Sequence, residues 1–132
     1  MNRELAEFEV LLEAQCLDRY QPDVALTGGF TGLHGLIPRI EAAGAVFTPH
    51  TWGNGIVLAA NCHLVASAAS APFVEFPYDS PEWTPQRRDY VLDAPIHPTP
   101  DGWIELGDAP GLGISLDTAR LAATATGRST FT

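Results

Sequence analysis

Helical stretches alternating with short extended runs predict an α/β fold with a parallel sheet. Three features carry that expectation. Apolar residues recur at helical spacing near the amino terminus and again in the middle of the chain. Brief runs at 18–23, 45–48 and 73–76 are bounded by Gly, Pro or Asp, as short strands are. A side chain able to move a proton stands at or after the end of each run: Asp23, His50 and Glu75.

Residues 2–15 place Leu5, Phe8, Leu11 and Leu12 at helical spacing with charges between them, an amphipathic helix. Residues 18–23 (DRYQPD) follow as a strand ending in a Pro-Asp loop. Thr27-Gly28-Gly29-Phe30 reads as a turn, and residues 31–43 as a helix that Gly44 stops. Pro38 lies inside that helix, so a kink or a late start is expected. The strand 45–48 then leads through Pro49-His50-Thr51-Trp52-Gly53-Asn54-Gly55 into an Ala-rich helix over about 55–69, with Asn54 placed to cap it. That helix is apolar nearly all round and is expected to be covered on several sides. Residues 73–76 (FVEF) form the third expected strand.

Beyond Pro77 the pattern changes. Thr84-Pro85 opens a helix continuing to Leu92, with proline in its first turn. Pro100-Asp101-Gly102 joins two extended pieces within 95–106, as in a hairpin. DAPGLG (108–113) is a loop, Asp117 caps a last helix over 118–124, and Gly127 onward reads as a frayed tail. The expected division is 1–77 as βα units and 78–132 as a carboxyl-terminal segment.

With 132 residues, 45% of them hydrophobic, the chain is long enough for one domain with a core. A net charge of −9 argues against nucleic acid and against an anionic membrane surface. All seven basic residues are arginine, which excludes lysine chemistry supplied by this chain. Cys16 and Cys62 have no metal-ligand spacing and read as buried free thiols of a reducing compartment, so a cytoplasmic location is expected. Signal-peptide and membrane-span patterns are lacking in the sequence. His63 reads as a satisfied core or interface histidine, His34 and His97 as lone histidines, and Arg87-Arg88-Asp89 as a solvated helix face.

Asp23, His50 and Glu75 are separated by 27 and 25 residues. A (β/α)8 barrel repeats about every 30 residues and carries its functional groups at the carboxyl ends of successive strands. The spacing therefore predicts a partial barrel with all three side chains round one mouth. Each also has a plainer reading: Asp23 as a turn-former after Pro22, His50 as a hydrogen-bonded loop residue. Glu75 between Val74 and Phe76 must be paired, hydrogen-bonded or functional, because a carboxylate in an apolar strand is costly. A carboxylate beside an imidazole orients the ring and makes a base suited to neutral pH, while a second acid across the site can hydrogen-bond an anionic intermediate.

The stretches QPDVALTGGFTG, TPHTWGNGIVLAANCHL, APFVEFPYDSPEW and DAPGLGISLD resemble the carboxyl-terminal part of the mandelate racemase/muconate lactonizing enzyme branch of the enolase superfamily. The resemblance implies a (β/α)8 barrel with a separate capping domain. This chain would supply strands six to eight with flanking helices, and a tail with short extended pieces that returns to the cap. It implies the reaction too: abstraction of the proton next to a carboxylate in a racemase or acid-sugar dehydratase. By resemblance His50 is the acid/base, Asp23 its orienting partner, and Glu75 the acid that hydrogen-bonds the substrate's carboxylate end. Trp52 lies near the pocket as a substrate-binding residue. The same resemblance implies Mg²⁺ in the complete enzyme, held by carboxylates of strands three to five that would lie upstream of Met1. Glu4 and Glu7 read as helix-surface acids, so this chain alone is expected to hold no metal and to be inactive. The implied partner is a small carboxylate or sugar-acid substrate, and the uncovered edges and apolar faces of a partial barrel predict association with further copies of the chain. A second reading is a truncated or split-gene product, a non-catalytic module that self-associates through uncovered sheet edges.

Overall fold

The computed structural model describes residues 4–127 and 129, and within them the apolar spacing at the amino terminus produces α1 (Leu5–Glu13), which buries Phe8 and Leu12. At its start the Glu7 carboxylate accepts the Glu4 backbone N–H at 3.0 Å, satisfying a donor that a helix end leaves free. The expected helix residues 2 and 3 lie outside the described residues. The chain then enters β1 (Arg19–Tyr20), crosses over through α2 (Gly29–Ala42), and returns as β2 (Val46–Phe47). β1 and β2 pair in parallel, Arg19 opposite Val46 and Tyr20 opposite Phe47, which is the βα crossover the alternation predicts.

Gly28 and Gly29 both have positive φ, +69° and +64°, a conformation that costs glycine little, so they turn the backbone into α2. Pro38 neither delays nor ends this helix. It sits on the exposed face, where water can meet the carbonyl its missing N–H leaves unpaired. Gly44, at φ +74°, ends the segment as expected.

α3 (Gly55–Ser67) is capped by the Asn54 side chain, whose oxygen accepts from the N–H groups of Ile56 and Val57 at 3.1 and 3.3 Å. The core joins Phe8 and Leu12 of α1, Tyr20 of β1, Leu33, Leu36, Ile37 and Ile40 of α2, Phe47 of β2 and Leu64 of α3.

The third expected strand does not form. Residues 73–76 run without regular structure, because an extended segment becomes a strand only against a hydrogen-bonded neighbour, and among the described residues the sheet has two strands. A small parallel sheet is therefore what the chain shows of the expected barrel arc. Beyond it α4 is a single turn (Pro85–Arg88) rather than a helix reaching Leu92, and α5 (Thr118–Thr124) follows its predicted cap, with Asp117 accepting from the Arg120 N–H at 2.9 Å. The 100–102 turn closes as in a hairpin, Thr99 N–H to the Trp103 carbonyl at 2.7 Å, but no strands flank it. Of the expected tail, Arg128 and residues 130–132 lie outside the described residues. No helix among the described residues is long and apolar enough to cross a membrane.

Cys62 is buried on α3, as expected, whereas Cys16 is exposed just past the end of α1. Both are free. Burial pushes the Cys62 thiol up to about 11, the Arg88 charge opposing the shift. At pH 8 only about one Cys62 in a thousand is then thiolate, so a maleimide is expected to label Cys16 and spare Cys62 until the chain unfolds. Because the folded value lies above the ordinary 9.0, this burial stabilises the fold fully below pH 9 and ceases to as pH rises from 9 towards 11. Equal labelling of both thiols in the native chain would contradict the burial.

Candidate active site

Asp23 lies three residues beyond β1 and is only 4% exposed. An ionised carboxylate so buried needs partners, and three groups supply them. Oδ1 accepts the Ala25 backbone N–H at 2.9 Å and the Asn61 side-chain amide at 3.3 Å, and Oδ2 lies 3.0 Å from Nδ1 of His50. His50 sits three residues beyond β2, with its side chain 24% exposed. The parallel pairing of β1 with β2 puts Asp23 and His50 at the same end of the sheet, the carboxyl end.

Asn61, which the sequence pattern does not mark as a site residue, completes the network. It is fully buried in the second turn of α3. Its amide nitrogen donates to Asp23 and, at 3.1 Å, to the His50 carbonyl, while its oxygen accepts the Val24 N–H at 3.2 Å. One side chain thus ties the segment after β1 to the segment after β2. The available signal was an amide flanked by Ala60 and Cys62 in a mostly apolar helix: a polar group buried there has to be satisfied internally.

Glu75, half-buried in the irregular segment after α3, accepts the backbone N–H of Thr51, the residue after His50. Glu75 is therefore brought to the His50 loop by a hydrogen bond from a backbone amide rather than by a strand. Trp52, in the same loop, is 53% exposed.

With Nδ1 committed to Asp23, Nε2 is the ring nitrogen left for proton exchange with a ligand. A cavity of about 500 Å³ lies between α3 and residues 93–115, and one of about 630 Å³ between α3, residues 71–76 and residues 98–106; neither is lined by Asp23, His50 or Glu75. Among the described residues, no group of three or more His, Cys, Asp or Glu side chains could hold a metal ion. The remaining histidines are not drawn in: His63 Nε2 lies 3.3 Å from the Leu112 carbonyl, and His34 and His97 are exposed. The Arg88-Asp89 pair, expected on a solvated face, is fully buried. A bidentate ion pair with backbone partners removes the need for water.

The model of the family described as enolase C-terminal domain-like matches residues 1–120. An L-rhamnonate dehydratase of Caldivirga maquilingensis, so named provisionally, is 32% identical over 83% of this chain and 27% of its own length. A D-galactarolactone cycloisomerase of Agrobacterium fabrum is 30% identical over 80% of this chain and 29% of its own. Among solved structures, a mandelate racemase/muconate lactonizing enzyme from Sulfitobacter sp. superposes with a TM-score of 0.77 at 29% identity, over 92% of this chain and 30% of that one. The chain thus spans less than a third of the length of the relatives it matches.

Replacing Asn61 by Ala strands the Val24 N–H and removes a donor from both Asp23 and His50. It is expected to cost roughly 1–3 kcal/mol in urea unfolding. A loss below about 0.5 kcal/mol, the size of an ordinary surface change, would mean that the bridge does not stabilise the fold.

Proposed function

The chain belongs to the enolase C-terminal domain-like family, and from that premise we propose that it is the carboxyl-terminal barrel portion of an acid-sugar dehydratase or racemase. In this reading His50 exchanges a proton with the carbon next to a substrate carboxylate. The observation that carries it is the 3.0 Å contact between His50 Nδ1 and the buried Asp23 carboxylate, which leaves Nε2 as the working atom. Asp23 fixes the ring's tautomer and orientation, itself locked by Ala25 and Asn61. Glu75, held at the amide of Thr51, is placed to act as acid or hydrogen-bond donor to the reacting anion. Trp52, exposed in the same loop, is the apolar side chain that meets the substrate in this reading. Two relatives are named for a sugar acid and a sugar lactone, which favours a polyhydroxylated acid as substrate.

Members of the enolase superfamily are generally Mg²⁺-dependent. The described residues do not fit that ion, since they form no metal-holding group. Both steps, orientation by Asp23 and proton exchange at His50, belong to this chain. Completion of the site belongs to the rest of a barrel, and the chain alone is inactive in this reading. The two-stranded sheet and the exposed Phe73 and Trp103 also favour association with further copies.

Proton exchange is read directly by NMR when acid sugars are incubated in D₂O with Mg²⁺. In a complete barrel enzyme carrying this segment, His50→Asn is expected to slow exchange at the carbon beside the carboxylate by roughly 10²–10⁴-fold. The 132-residue chain by itself is expected to give none. Exchange undiminished in the variant removes His50 from the chemistry, and exchange by the isolated chain shows that it needs nothing more.

A further inference from the structure

Glu75 lies in a segment without regular structure, so no ladder or helix holds its backbone in place. The two residues after it are nevertheless gripped. The Arg88 guanidinium stacks over the Phe76 ring, 4.4 Å from its centroid, and Nη1 donates to the Pro77 carbonyl at 3.1 Å. Arg88 is fully buried, and its other contacts run to Asp89, Nε to Oδ1 and Nη2 to Oδ2 at 2.6 Å each, and to the Ile96 carbonyl at 2.8 Å.

Asp89 completes the grip on the other side. Its Oδ2 accepts the Ile96 N–H at 2.7 Å. Its Oδ1 lies so near Gly55 that a Cβ there would be 2.5 Å away, which leaves room for glycine only. Gly55 is the first residue of α3, immediately after the Asn54 cap, and so ends the loop that carries His50 and Thr51. One buried ion pair therefore touches the chain just after Glu75 and just after the loop that Glu75 contacts. Burying two charges is costly, and the cost is recovered only by bidentate geometry and further hydrogen bonds, all present here.

The geometry points to Arg88 and Asp89 as a positioning pair: they hold residues 75–77 at a set distance from the 50–55 loop and so fix where the Glu75 carboxylate meets the Thr51 amide. Neither touches the reacting groups; both act through Glu75. The catalytic importance of that placement rests on the function proposed above, but the placement itself is measurable without turnover.

Amide hydrogen exchange of the full chain tests it. In the unmodified protein the Thr51 and Ile96 amides are expected to open as one unit, with rates within about threefold of each other under mild denaturant. Arg88→Lys keeps the charge but loses the fork, and is expected to speed Thr51 exchange roughly 10-fold while amides of α2 stay unchanged. In a Glu75→Ala background the same substitution is expected to add nothing at Thr51, because the acceptor through which it acts is gone. Asp89→Asn replaces Arg88→Lys in this cycle if the latter fails to fold. Independent opening of Thr51 and Ile96 in the unmodified chain, or effects of the two substitutions that simply add, would overturn the proposal. Failure of His50→Asn to affect proton exchange would leave these results untouched and refute only the catalytic reading.

Discussion

The Asp23 carboxylate is nearly inaccessible to water, and much of the structure follows from having to satisfy it there. Its partners come from its own turn, from α3 and from the loop after β2. For α3 this matters in a way its apolar content does not. A helix that is apolar nearly all round gains about as much from burying one face as another, so hydrophobic burial fixes its position better than its rotation. Asn61 removes that freedom. Only one rotation of α3 brings its amide to Asp23, the His50 carbonyl and the Val24 N–H together. A buried polar network is costly when incomplete, so it selects one packing among several that the apolar residues would tolerate.

The carboxyl-terminal segment uses the same device with charges. Residues 68–84 lack helices and strands, and the turns beyond them are short. Arg88 joins two of them, reaching the Pro77 and Ile96 carbonyls from a single turn of helix. A hydrophobic cluster alone would leave those carbonyls unpaired in the interior. Arginine suits the role because its planar fork spends donors in several directions at once.

Local signals in the sequence were reliable where the physics is local. Asn54 and Asp117 cap the helices they were expected to cap, because a cap depends on a side chain and the next three amides. Gly44 ends its segment for the same kind of reason. The proximity of Asp23 to His50 was legible through the strand-helix repeat, which sets which end of the sheet each reaches. The third strand was not legible, since strand formation at 73–76 depends on a neighbour that is not adjacent in sequence. The Arg87-Arg88-Asp89 cluster misled for a related reason: composition marks it as hydrophilic, and only the fold shows that Pro77, Ile96 and Phe76 converge on it. Cys16 looked buried by context but follows the end of α1, where the chain has already left the core.

The two polar networks meet at one short loop. Residues 49–54 are bounded by β2 before and the Asn54 cap after, linked to Asp23 and Asn61 through His50, and linked to Glu75 through the Thr51 amide. Loops ordinarily carry function because they are free to vary, and lose precision for the same reason. Here His50, Thr51 and Asn54 are each tied to residues outside the loop, while the Trp52 side chain stays open to solvent. Orientation of the imidazole is thus settled within this chain, because folding has already restricted the rotation of the ring through Nδ1 and Asp23.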